Sequence, residues 1–127
     1  MIITINEWEV TSEYWDNLMG EKGDWFQKYV MRPSILSLLG NINGLNILDA
    51  GCGNGYLSRY LARMGANVIG VDFSKKLLKK ALLYNRTERL NVKYLQKDIS
   101  SQLDLNMVFD RIISHNVIQE IKNYFGF

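Results

Sequence analysis

Hydrophobic positions recur along this chain with helical spacing in some segments and as short strand-length runs in others. Residues 7–20 and 24–40 are predicted to be helical and carry Trp8, Trp15 and Trp25. Pro33 falls inside the second segment, where its missing N–H predicts a kink or a new helix start. Gly40 and Gly44 lead into an apolar strand at 46–50. Tyr56, Leu57, Tyr60, Leu61 and Met64 then return at helical spacing, with Gly65 as the stop. A second strand is expected at 67–71. Ser74 should cap a helix whose apolar stripe is Leu77, Leu78, Ala81 and Leu82. Its other face holds Lys75, Lys76, Lys79 and Lys80, which reads as a solvated surface. Strand three is expected near 92–96 and strand four from Val108 to Ser114. Val117, Ile118 and Ile121 suggest the start of another helix.

Strands separated by helices require crossovers and a parallel sheet. The expected fold class is therefore α/β, a Rossmann-like doubly wound sheet of order 3-2-1-4 preceded by a helical segment. Residues 1–44 form that segment and 45–127 a partial nucleoside-binding unit, together one structural domain. The cleft should open at the carboxyl ends of the strands, where strands one and four diverge.

Composition narrows the classes. A hydrophobic content of 47% against 22% charged residues fits a folded globular chain. A formal charge of +2 does not argue for nucleic acid or a membrane surface. The single cysteine forms no intrachain disulfide and suits a reducing compartment. No run approaches the roughly 18 apolar residues of a membrane span. A cytoplasmic protein is expected.

The chemistry is concentrated in Asn46-Ile47-Leu48-Asp49-Ala50-Gly51-Cys52-Gly53-Asn54-Gly55. A buried strand ends in a carboxylate, then alternating glycines open a helix and let a ligand lie against bare main chain. A second acid, Asp72, ends the next strand. Such a loop serves dinucleotide enzymes and others alike, and two details separate them. The dinucleotide fingerprint needs glycine at the sixth place of the loop, where this chain has Tyr56. Asp49 also suits a cationic group better than a pyrophosphate. A ligand with a ribose and a cationic end but no phosphates fits, and S-adenosylmethionine is one.

Here the sequence resembles the class I S-adenosylmethionine-dependent methyltransferases. Leu48 to Gly55 resembles their first motif, Val71-Asp72-Phe73-Ser74 the second, Lys97-Asp98-Ile99 the third, and Phe109-Asp110-Arg111-Ile112-Ile113-Ser114 the fourth. Tyr14-Trp15-Asp16 and the segment through Pro33 resemble the helical lid of one branch. The resemblance implies that Gly51, Gly53 and Gly55 approach the methionine portion, with Asp49 helping to hold its ammonium. It implies that Asp72 accepts from the ribose hydroxyls, that Phe73 packs on adenine, and that Asp98 and the Ile99 amide read the adenine edge. Ser114 and His115 would lie near the methyl group, and Tyr14, Trp15, Trp25 and Tyr29 would close over the cofactor.

Simpler roles stand beside these. Asp49 could cap the turn, Asp98 could serve its own turn, and Phe73 and the N-terminal aromatics could be core. Asp110 reads as structural, and Cys52 as merely small. His115, the only histidine, could be a general base or a polar lining of the cleft.

Methyl transfer from a sulfonium needs alignment and water exclusion more than a nucleophile or metal, so no metal site is expected. Ser114-His115-Asn116-Val117 lacks the Asn-Pro-Pro-Tyr type of run associated with amino methylation of DNA or protein glutamine. A small-molecule acceptor is the leading expectation. The resemblance also implies three further strands that this chain does not contain. It would then be a truncated piece, a shortened gene product, or one half completed by another chain. A cofactor-binding module without catalysis is the alternative function. A homodimer is expected, paired through strand four or residues 117–127.

Overall fold

The computed structural model describes residues 5–115 and residue 117. Four strands form one parallel sheet: β1 (Asn46–Ala50), β2 (Asn67–Asp72), β3 (Val92–Gln96) and β4 (Arg111–Ile113), in the order β3-β2-β1-β4. This is the order the alternating pattern predicts. The register pairs Ala50 with Val71, Asp72 with Gln96, and Asp49 with Ile113. All four carboxyl ends therefore finish at the same end of the sheet.

Among the described residues, four α-helices accompany it: α1 (Ile5–Met19), α2 (Arg32–Leu39), α3 (Tyr56–Arg63) and α4 (Lys75–Glu88). Both sheet faces are apolar, as parallel strands require. Ile47 and Val68 pack on one face with Leu57 and Leu61 of α3, Leu39 of α2, and Ile113. Leu48, Ala50 and Val71 point to the other face and meet Ile99, Leu103, Leu105 and Phe109. That second face is covered by the irregular β3–β4 connection rather than a helix. Ile47, Leu61 and Val71 are completely buried; each such side chain contributes about 1.5–3 kcal/mol.

Two elements differ from expectation. β4 begins at Arg111, not Val108, since its ladder with β1 starts at the Ile47–Arg111 pair. Asp110 closes that junction: its N–H donates to the Asn46 carbonyl and its Oδ2 accepts the Asn46 N–H, each at 2.8 Å. Asp110 is structural, as read. The segment before Pro33 contains a π-helical turn, Gln27–Met31, in which the Arg32 N–H reaches back to the Gln27 carbonyl. Pro33 sits in the first turn of α2, where its missing N–H leaves no bond unmade. Asp24 caps the start of this segment, its Oδ1 accepting the Gln27 N–H at 2.8 Å. The helix expected from Val117 onward, and the apolar tail, lie outside the described residues except for Val117 itself.

Candidate functional site

The loop after β1 turns through positive φ at Gly51, Gly53 and Gly55. At Gly51 the geometry demands glycine twice over: φ is +81°, and a Cβ there would collide with the Val117 side chain. Val117, beyond β4, thus lies directly against the loop. Asp72, at the end of β2, accepts the Gly53 N–H on Oδ2 at 2.9 Å and the Ser74 N–H on Oδ1 at 2.8 Å. Burial raises its pKa, and those two N–H groups oppose the rise. Ser74 then caps α4, its hydroxyl accepting the Leu77 N–H at 3.2 Å.

Asp49 does not cap the turn. Its carboxylate is buried beneath α3 and accepts the Ser58 hydroxyl proton at 2.6 Å. Burial pushes its pKa up to about 6, the Ser58 bond holds it down somewhat, and the charge of Asp72 adds to the rise. Two acids lie under one loop, an arrangement that favours a cationic ligand. Cys52 is buried beside them, and burial keeps its thiol protonated and inert.

The β3 end joins through main chain, the Lys97 N–H donating to the Asp72 carbonyl at 3.0 Å. Asp98 follows immediately and is half-buried. Its Oδ1 is taken by the Ser100 N–H at 2.9 Å and the Ser100 hydroxyl at 2.7 Å. Asp98 therefore does serve its own turn, and its second oxygen is left for a ligand. Ile99 is buried in the core of the second face, and Phe73 is half-buried beside Asp72. Ser114 follows β4, with its hydroxyl oxygen buried and, among the described residues, without a hydrogen-bond partner. His115 comes next, its Nε2 lying 2.8 Å from Gln27 Oε1.

Of the N-terminal aromatics, Tyr14, Trp25 and Tyr29 are exposed and not core. Tyr14 is 67% exposed and Trp25 70% exposed, with Tyr29 stacked on Trp25 at a centroid distance of 5.6 Å. Trp15 is half-buried and stacks on Trp8, also at 5.6 Å.

Four polar residues that hold the site together carry no role in the motif reading. Asn54, inside the glycine loop, donates from Nδ2 to Asp16 Oδ1 at 3.0 Å and to the Gly20 carbonyl at 2.8 Å. Asp16 also accepts the Tyr84 hydroxyl at 3.0 Å and pairs at 3.6 Å with Lys80, which stays exposed in the solvated row expected of it. Arg59 is fully buried, donating to the Asn54 carbonyl at 2.5 Å and the Glu21 carbonyl at 2.6 Å. Gln27 is buried on the π-helical turn. Polar residues at inward-facing helical positions were the available signal. Among the described residues, no group of His, Cys, Asp or Glu is arranged to hold a metal ion, and no helix is long and apolar enough to cross a membrane.

A methyltransferase-domain family model matches residues 47–124. The ubiquinone biosynthesis O-methyltransferase of Rickettsia prowazekii is 31% identical over 125 residues, covering 94% of this chain and 49% of that protein. The corresponding enzyme of Agrobacterium fabrum is 35% identical over 82 residues, 65% of this chain and 33% of that one. Magnesium protoporphyrin IX methyltransferase from Synechocystis PCC 6803, crystallised with bound SAM, superposes with a TM-score of 0.75 at 26% identity, over 95% of this chain and 64% of that one. Its form with bound SAH superposes at 0.72 and 28% identity, over 89% and 57%. The chain spans about half the length of the curated Rickettsia relative it matches.

Proposed function

As the chain belongs to the class I S-adenosylmethionine-dependent methyltransferases, we propose that it binds S-adenosylmethionine over the glycine loop and, within the complete protein, directs its methyl group to a small-molecule acceptor. The observation that carries this reading is the clasp between Asp72 and Gly53, which shapes a bare main-chain cradle at the strand ends. The residues present fit the group. A buried carboxylate under the loop, Asp49, suits a cation, and the Ser114 hydroxyl at the tip of β4 has no hydrogen-bond partner among the described residues. Gly51, Gly53 and Asp49 would hold the amino-acid end, Asp72 the ribose, and Phe73, Asp98 and Ile99 the adenine. Tyr14, Trp15, Trp25 and Tyr29 would cover the cofactor. When bound, S-adenosylmethionine supplies a methyl group already activated by its sulfonium. The protein's work is then to align the acceptor, exclude water and accept a proton, for which His115 is the candidate. The O-methyltransferase names of the relatives support an oxygen acceptor.

Titration calorimetry with S-adenosylhomocysteine tests the reading: micromolar binding is expected, and no heat at millimolar ligand would end it. The exposure of Ile112 on β4 favours a second reading, a cofactor-binding module completed by another chain. Cofactor binding with no methyl transfer to any hydroxyl-bearing acceptor would support that reading.

A further inference from the structure

Helix α4 carries its charge against the rule for a stable helix. Lys75 and Lys76 occupy its first turn, and no acid stands there. Unpaired N–H groups make that end of a helix positive, so carboxylates favour it and cations oppose it. Two like-charged pairs, Lys75 with Lys79 and Lys76 with Lys80, also fall four residues apart, where they repel. With Arg86 the helix holds five cations against one acid, Glu88, which is paired with Arg63. That is a net +4 on 14 residues of a chain whose total is only +2. The small total conceals a one-sided distribution.

Burial sorts these residues onto one face. Leu77, Leu78 and Ala81 are buried, and the exposed positions of α4 are the five cations, Thr87 and two leucines. Leu82 is 50% exposed and Leu83 53%, each within one turn of Lys79 and Arg86. Among the described residues only Lys80 of the five cations has an acidic partner, Asp16 at 3.6 Å. A single-stranded nucleic acid calls for aromatic rings on which its bases stack. The one aromatic of α4, Tyr84, instead turns its hydroxyl onto Asp16. A phospholipid bilayer offers phosphates to the cations and an acyl boundary to the leucines.

We propose that the exposed face of α4 docks on an anionic phospholipid bilayer, with its cations among the headgroups and Leu82 and Leu83 at the acyl boundary. Anionic headgroups relieve the repulsion that the first-turn lysines create. Ser74, the cap of α4, is bonded to Asp72, so a docked helix brings the strand ends beside the lipid.

Sedimentation of the intact chain with vesicles tests the docking. Vesicles of phosphatidylcholine with about 30% phosphatidylserine should carry the chain down at about 0.05 M salt and release it at about 0.5 M. Vesicles of phosphatidylcholine alone should hold far less. Each cation near an anionic surface is worth about fivefold in affinity, so Lys76→Glu with Lys79→Glu should weaken binding at least about twentyfold. Lys76→Glu restores an acid to the first turn, so this double variant should stay folded. Leu82→Gln with Leu83→Gln should weaken binding about tenfold and keep its need for phosphatidylserine. No sedimentation at low salt overturns the proposal, as does full binding by the lysine variant. Leucine variants that bind as tightly as the native chain remove the bilayer, and so does capture of an RNA of about 20 nucleotides in place of the vesicles. S-adenosylhomocysteine calorimetry should give the native affinity in both variants. Absent cofactor binding in the native chain would remove the methyltransferase reading and leave the docking standing.

Discussion

Gly53 donates its N–H to Asp72 Oδ2 at 2.9 Å, and this bond holds the glycine loop against the end of β2. The other oxygen of the carboxylate takes the Ser74 N–H, and Ser74 in turn caps α4. One side chain therefore shapes the loop and starts a helix. Each oxygen keeps a further lone pair for a ligand.

Removing that carboxylate should cost affinity. A hydrogen bond to a charged group contributes about 1.5–3 kcal/mol, so Asp72→Ala should weaken S-adenosylhomocysteine binding roughly tenfold to a few hundredfold. Asp72→Asn, which keeps one acceptor, should fall between. Calorimetry showing equal affinity in all three would take Asp72 out of the site.

How much of this was legible depended on how far apart the partners lie. The loop from Asp49 to Gly55 and the acid at Asp72 could be read because each sits at a strand end within one βαβ unit. The parallel sheet followed from the alternation, and its order from the doubly wound arrangement with a switch point beside β1. The short β4 could not be read, because its start depends on where β1 begins to pair. Asn54 and Asp16 meet across 38 positions, and Gln27 and His115 across 88. No local spacing encodes such contacts. A fully buried Arg59 runs against its composition class, and the two carbonyls it serves together with the Tyr84 ring 4.9 Å from its guanidinium explain it.

Asp49 should make stability depend on pH. Its pKa of about 6 in the fold stands above the ordinary 3.8. The folded state thus holds the proton more tightly, so this contribution is complete below about pH 4 and is lost as pH rises through about 6. The span is about 3 kcal/mol at most. Asp49→Asn should flatten urea-melt stability across that window. An ammonium-bearing ligand favours the ionised carboxylate, so S-adenosylhomocysteine affinity should rise between about pH 5 and 7 in the native chain. If the variant retains the full slope, the titrating group is elsewhere.

Asn54 joins the loop to the end of α1. Asn54→Ala leaves the buried Asp16 and the Gly20 carbonyl each without one donor. Loss of such buried bonds costs about 1–3 kcal/mol. Urea unfolding should show that loss, and hydrogen exchange should quicken near residues 16–24. Unchanged exchange there would mean that α1 is held by Tyr84 and Lys80 alone.

The edge at β4 leads to an expectation about assembly. β4 closes the sheet order and pairs with β1 on one side, while Ile112 is 64% exposed and Val108 86% exposed. An apolar strand edge is a template for another strand, and two-fold pairing is the commonest way to cover one. The 14.7 kDa chain should therefore scatter light as a dimer. Ile112→Lys, a charge on an edge strand, should return it to a monomer. Ile112 touches neither Gly53 nor Asp72 through any hydrogen bond, so S-adenosylhomocysteine affinity should be unaffected by the change. A native chain that scatters as a monomer at high concentration would remove the pairing, and a dimer untouched by the lysine would move it to another face.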